Sequence, residues 1–138
     1  MSREVTILLI DDDNIDAEAI ERALRKHKIA NPVVHARNGI EGLEVLRKPD
    51  GVRKPRLILL DLNMPRMNGL EFLEVLRDDP ELRQEIVFVL TTSNLDEDRL
   101  AAYDSCVAGY VLKDRVGSNF TDLLAMIDSF WRVVEFPV

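Results

Sequence analysis

Three aspartates, Asp11, Asp12 and Asp13, stand in a row directly after the apolar run Ile7–Ile10. Another, Asp61, follows the run Leu57–Leu60 and is followed in turn by Leu62, Asn63, Met64 and Pro65. Thr91, Thr92 and Ser93 come after a further β-branched run, and Lys113 after the last one. Carboxylates, hydroxyls and one ammonium at such positions could form a single charged site. Two carboxylates about 4 Å apart repel by about 1 kcal/mol in water and about 4 kcal/mol at an effective dielectric near 20. A hard divalent cation offsets that repulsion, and an all-oxygen set without His or Cys suits magnesium, which keeps open positions for water and phosphate oxygens. A carboxylate beside such a cation and an ammonium is arranged to receive a phosphoryl group, because that transfer rests on positioning and charge neutralisation. Each residue also has a plainer reading. Asp13 is expected to cap the first helix, and single acids or lysines at strand ends are commonly inert. The convergence of four strand ends is what argues for a site.

The elements that must bring these groups together alternate along the chain. Val5–Ile10, Val33–Ala36, Leu57–Leu60, Ile86–Leu90 and Gly109–Leu112 are expected strands. Helical spacing marks the segments between them: Ile15, Ala19, Ile20, Ala23 and Leu24 in the first, Leu100 and Tyr103 in a weaker fourth, and Leu123, Leu124, Ile127, Trp131 and Val134 in the last. Ile7–Ile10 and Leu57–Leu60 are continuously apolar, the pattern of strands covered on both faces and hence of a parallel sheet. Alternating strands and helices imply right-handed crossovers and an α/β, doubly wound (βα)5 fold with a five-stranded parallel sheet. Functional groups in such a sheet gather beyond the carboxyl ends of the strands, near the switch in strand order. One internal echo supports the scheme: Asn38–Arg47 matches Asn68–Arg77 at eight of ten positions. Each copy opens with Asn and has Glu three residues later, which predicts two equivalent capped helices, the second and third.

Composition bounds the rest. The 138 residues fit one domain spanning 1–138, with no room for a second, output domain. Hydrophobic residues make up 46% and charged ones 31%, enough to bury a core. The net charge of −7 argues against nucleic acid as a partner, which would demand a positive surface. Cys106 is the single cysteine, so neither an intrachain disulfide nor a cysteine zinc cage can form. No early apolar run is long enough for a signal peptide or a membrane span, and the expected location is cytoplasmic. The loop Arg47–Arg56, with five basic residues, is expected to be solvated; an acidic partner is the sharper alternative. His27 and His35 lack partners at metal-ligand spacing and are expected to be surface or packing residues. Cys106 is expected in the core, and Met64 and Met67 are expected to pack.

Ile7–Asp12, Leu57–Pro65, Leu90–Thr92 and Gly109–Lys113 together resemble the CheY-like receiver domain of two-component response regulators, four motifs in order over nearly the whole chain. The resemblance implies a flavodoxin-like sheet in the order 2-1-3-4-5. It also implies Asp61 as phosphoacceptor, accepting from a histidine kinase; Mg²⁺ held by Asp12, Asp61 and the Asn63 backbone carbonyl, with Asp11 acting through water; Lys113 paired with the phosphoryl group; and Thr91 with Tyr110 as the conformational switch. One position departs from the family pattern, which has Pro after the lysine in a cis peptide, where this chain has Asp114. A cis peptide before a non-proline residue costs about 2.5–4 kcal/mol, so that bond is either trans or a strained cis. Val107–Tyr110 and the tail Asp128–Pro137 are similar to single-domain regulators that accompany phytochrome-type histidine kinases.

Two other functions compete with this one. A Mg²⁺-dependent phosphatase of the haloacid-dehalogenase type also uses an Asp after a buried strand, but it requires a second Asp two residues on as general acid and base. Asn63 stands there, and a neutral amide cannot deprotonate the water that would clear the acyl phosphate. A phosphorylation-independent scaffold is disfavoured because every phosphorylation residue is present. The downstream target is a protein the sequence leaves unnamed. Finally, an extended last helix over about 118–135 carries a core face and a second stripe, Met126, Phe130 and Val133, with Phe136 beyond. An apolar arc of about 180°, where about 100° serves a core helix, predicts a homodimer through that stripe, with a tail folded back on its own domain as the alternative.

Overall fold

A computed structural model of the chain describes residues 4–26, 31–116 and 120–138. Five strands, β1 (Thr6–Ile10), β2 (Val33–Ala36), β3 (Arg56–Leu60), β4 (Ile86–Thr91) and β5 (Gly109–Leu112), alternate with helices α1 (Asn14–Lys26), α2 (Gly39–Arg47), α3 (Gly69–Asp78), α4 (Asp96–Asp104) and α5 (Thr121–Val133). All strand pairs are parallel, in the order β2-β1-β3-β4-β5. This is the (βα)5 flavodoxin-like arrangement.

Both faces of the central strands are covered, and the two-residue period of a strand sorts their side chains. Leu8, Ile10, Ile58, Leu60, Val87 and Val89 face α2 and α3, where Leu43, Leu46, Phe72, Leu73 and Leu76 meet them. Ile7, Leu9, Leu57, Leu59 and Leu90 face α1 and α5, against Ile20, Leu24, Leu123, Leu124, Ile127 and Trp131. Continuous apolar runs thus reflect two cores sharing one sheet.

The repeated Asn-Gly segments do form equivalent helix starts. Asn68 Oδ1 accepts from the Glu71 N–H (2.9 Å) while Glu71 Oε1 accepts from the Asn68 N–H (3.0 Å), a complete capping box. At the other copy, Asn38 Oδ1 accepts from the Glu41 N–H (3.0 Å), but the Glu41 carboxylate takes the N–H of Arg37 instead (3.0 Å). Gly69 is required by close approach: a Cβ there would lie 2.5 Å from the Asp61 carbonyl oxygen, so α3 begins pressed against the loop after β3.

Several expectations are corrected. Ile15 is 78% exposed because α1 begins beside it, and Ala17 takes the core position. Leu100 and Tyr103 are exposed and α4 buries Ala102, consistent with a short, polar helix that touches the sheet lightly. Cys106 is exposed, at φ 61° in the turn between α4 and β5, rather than in the core. The basic loop is not wholly solvated: Val52 is buried, and Arg56 forms a buried pair with Glu85, its Nε donating at 2.9 and 3.0 Å. Met64 is buried and Met67 packs against the same core, as expected. His27 and residues 118–119 of the expected last helix lie outside the described residues. Among the described residues no helix is long and apolar enough to cross a membrane.

Candidate functional site

The chain passes from β1 outward to β2 and returns on the other side as β3, so the switch in strand order lies between β1 and β3. Ile10 and Leu60 are register partners, and the next residue on each strand is Asp11 or Asp61. Backbone bonds fix both: Asp11 N–H donates to the Ala36 carbonyl (3.0 Å), and Asp61 N–H to the Ile10 carbonyl (2.9 Å). On the other flank, Thr91 and Leu112 are register partners, which puts Lys113 just beyond the end of β5.

The side chains meet there. Thr91 Oγ1 donates to Asp61 Oδ1 at 2.8 Å, and the Asn63 backbone N–H to the same oxygen at 3.2 Å. Lys113 Nζ donates to Asp61 Oδ2 (3.2 Å), Asp11 Oδ2 (2.9 Å) and Asp16 Oδ2 (2.7 Å). Asp11, Asp12 and Asp61 each offer a carboxylate oxygen within 4.8 Å of the others, Asp12 from an exposed position and the other two from buried ones. This set can coordinate a divalent metal. Its donors are all hard oxygens, which fits magnesium or a similar ion better than a soft one.

Burial shapes the charges. The Asp11 carboxyl is pushed above the ordinary aspartate range by burial, although Lys113 and the Asp13 N–H both oppose the shift. Burial works against the Lys113 ammonium, yet the hydrogen bonds it donates to Asp16 and Asp11 outweigh it and raise its pKa, so this lysine is charged throughout the neutral range. The half-buried Tyr110 phenol is also raised by burial; its hydroxyl donates to the Ser93 carbonyl (2.9 Å), and the Arg99 guanidinium lies 5.9 Å from the ring centre.

Asp13 belongs to the helix, as its plainer reading predicted. Its Oδ1 accepts from the N–H groups of Ile15 (2.9 Å) and Asp16 (3.2 Å). Ser93 joins the region through Oγ, which donates to Asp98 (2.6 Å), whereas Thr92 is exposed. Among the described residues Lys54–Pro55 is the sole cis peptide, so Lys113–Asp114 is trans, and β5 runs straight into a 3₁₀ turn, Lys113–Arg115. Asp114 is compatible with that path because no proline imposes a cis bond.

Two contacts at the site were missed in the sequence. Asp16 is the nearest acceptor of Lys113; its one signal is a place in the first turn of a helix that starts directly after the strand-end acids. His35, read as a packing residue, has Nε2 2.7 Å from the Asp11 carbonyl oxygen, which can only accept, so Nε2 carries the hydrogen.

The last helix and the tail fold back on the domain. Phe130 packs edge-on against Phe88 (centroids 5.0 Å, planes at 87°) and against Phe136 (5.9 Å, 85°). Met126, Phe130 and Phe136 are partly buried on the α1–α5 core, and Val133 is 80% exposed.

Comparison with known proteins decides the family. Residues 7–128 match the model of the response regulator receiver domain. The chain is a response regulator receiver domain. Members of this family accept a phosphoryl group rather than turn over a substrate, and pair with a cognate histidine kinase. This receiver is 34% identical over 138 residues to response regulator Rcp1 of Synechocystis, covering 95% of this chain and 92% of that protein. The crystal structure of the Mn(2+)-bound form of Rcp1 superposes with a TM-score of 0.84 at 31% identity, covering 97% of this chain and 99% of that one. The phosphorylated cyanobacterial phytochrome response regulator RcpA gives 0.84 at 32% identity, covering 99% and 100%.

Proposed function

We propose that Asp61 is the phosphoacceptor and that Mg²⁺ supports the transfer. The observation that carries this reading is the asymmetry around Asp61: one oxygen is met by Thr91 and the Asn63 N–H, the other by Lys113, and the carboxylate also faces Asp11 and Asp12. In the transfer an Asp61 oxygen attacks the phosphorus of a phosphohistidine. The P–N bond breaks, its electron pair returns to the imidazole, and an acyl phosphate forms. Lys113 supplies positive charge beside the new phosphoryl oxygens, and Thr91 a hydrogen-bond donor. Mg²⁺, held by Asp12, Asp61 and the Asn63 carbonyl with Asp11 assisting through water, would neutralise the oxygens of the transferring group. The Mn(2+)-bound form of Rcp1 and the phosphorylated form of RcpA support both assignments. With Asn63 where a phosphatase would carry an acid, the acyl phosphate persists as a signal.

The switch follows from Thr91 and Tyr110. A Thr91 hydroxyl drawn onto the phosphoryl group vacates space that the half-buried Tyr110 ring can fill, remodelling the α4–β5 surface that meets a downstream protein. Likeness to the cyanobacterial phytochrome response regulator RcpA supports a phytochrome-type kinase as donor, and a cytoplasmic site of action follows from that pairing. Phosphotransfer from purified phytochrome-type and unrelated histidine kinases tests the pairing: selective, rapid labelling by the former is expected, and equal labelling by both contradicts it. A homodimer would now have to be built around Val133, with the half-buried edges of Met126, Phe130 and Phe136 beside it. Light scattering of wild type and of Phe130→Asp, Val133→Asp checks this; a wild-type monomer with and without phosphate removes the dimer.

A further inference from the structure

Lys113 Nζ donates to three carboxylates, and the shortest of its bonds goes to none of the strand-end residues. Asp16 Oδ2 lies at 2.7 Å, against 2.9 Å for Asp11 and 3.2 Å for Asp61. An ammonium has three N–H donors, so all are engaged and Asp16 holds one of them. Asp16 itself is anchored: its backbone N–H donates to the Asp13 cap at 3.2 Å, which sets its position at the start of α1. Its carboxylate is 27% exposed, whereas those of Asp11 and Asp61 are 1% and 7% exposed, so the ammonium is shared between two inner acids and one outer acid.

The charges do not balance. Asp11, Asp12, Asp16 and Asp61 against Lys113 leave a formal excess of three negative charges, and without Asp16 the excess is two. An incoming phosphoryl group is anionic and a divalent metal is cationic, so Asp16 acts on them with opposite sign.

We propose that Asp16 is a latch on Lys113, drawing the ammonium toward α1 in the resting protein and thereby weakening the site for a phosphoryl group on Asp61 while strengthening it for a divalent cation. The proposal rests on Asp61 being the phosphoacceptor. A latch and a strut differ in direction. Were Asp16 a strut that merely aims Lys113, its loss would let the ammonium wander and would weaken phosphoryl binding. Released from a latch, the ammonium is free to move fully onto Asp61 and whatever Asp61 carries.

The test uses the full chain and two probes: Mg²⁺ alone, and beryllofluoride, a phosphoryl mimic, at saturating Mg²⁺. Both affinities are measured by calorimetry for wild type, Asp16→Ala, Asp16→Asn and Asp114→Asn. The last removes an equal charge from an exposed residue adjacent to Lys113 in sequence, whose ammonium is fully engaged elsewhere. Asp16→Asn keeps the shape and an acceptor oxygen, so it serves if the alanine variant folds poorly. Both Asp16 variants are expected to bind beryllofluoride about three- to tenfold tighter, and Mg²⁺ alone weaker by a similar factor, the size of one unit charge acting across a partly exposed site. Asp114→Asn should stay within about twofold of wild type for both. Unchanged or weaker beryllofluoride binding in the Asp16 variants overturns the latch, as does an equal gain in Asp114→Asn. A wild type that takes no beryllofluoride contradicts the phosphoacceptor reading instead; the Mg²⁺ measurement then decides the latch, and unchanged Mg²⁺ affinity in Asp16→Asn overturns it.

Discussion

The two ends of the sheet treat charge in opposite ways. At the amino end, Arg56 at the start of β3 meets Glu85 just before β4, one cation to one anion. Two Nε contacts at 2.9 and 3.0 Å join them, and Arg56 Nη1 donates to the Val52 carbonyl at 2.9 Å. Both side chains are buried and the pair is closed. At the carboxyl end a single ammonium serves Asp11, Asp16 and Asp61, with Asp12 beside them. A closed pair has no further demand and serves the fold. An unbalanced cluster keeps a standing demand for positive charge, which is the physical form a metal-dependent phosphoacceptor site takes before it is loaded.

If that contrast is right, breaking each end has a different consequence. Glu85→Ala leaves Arg56 buried and unpaired and should cost about 3–5 kcal/mol, the largest effect on stability among the changes considered. Denaturant unfolding checks this, and phosphorylation of the fraction that remains folded should match wild type. At the other end, Asp12→Ala removes an exposed carboxylate from the set that can coordinate a divalent metal. It should weaken Mg²⁺ binding by about tenfold or more, with little change in the unfolding midpoint, which calorimetry and denaturation together can decide.

The smallest effect has an unusual sign. Burial raises the Asp11 pKa, so its ionised form opposes folding. A group whose folded value exceeds its unfolded value contributes stability that is complete below the unfolded value and is lost as pH rises through the folded one. Asp11→Asn should therefore raise the melting temperature of the metal-free protein at neutral pH, by less than Glu85→Ala lowers it. The gain should shrink as pH falls toward 3.8, where the wild-type carboxyl is itself protonated. Thermal scans at several pH values in a chelator give the answer. A destabilised Asp11→Asn would mean that the bond to Lys113 outweighs the burial of the acid.

The sequence shows the unbalanced end of this comparison better than the closed one. Apolar runs place the strands to within a residue or so, because strands covered on both faces leave no polar alternation, and residues just after such runs must emerge at the carboxyl edge. That logic finds Asp11, Asp12, Asp61, Thr91 and Lys113. It does not find Asp16, which is 97 residues from Lys113 and reads locally as an ordinary first-turn acid. Nor does it find Arg56–Glu85, since nothing in a run of basic residues says that one of them turns inward. The tail shows the same limit: Phe130 reads as a second apolar stripe until the Phe88 ring opposite it, 42 residues earlier in the chain, is placed in space. Spacing along one element reveals faces, while contacts between elements depend on register, which no single segment encodes.

The most direct test of the central claim, that the unbalanced edge is a magnesium-dependent phosphoacceptor site at Asp61, is intact-mass measurement after incubation with a small acyl-phosphate donor. Wild type with Mg²⁺ should gain the mass of one phosphoryl group, assigned to Asp61 after trapping and digestion. The gain should vanish in chelator and in Asp61→Asn, and survive in a folded Arg56→Met, Glu85→Leu protein. Equal labelling of Asp61→Asn and wild type, or labelling indifferent to Mg²⁺, would contradict it.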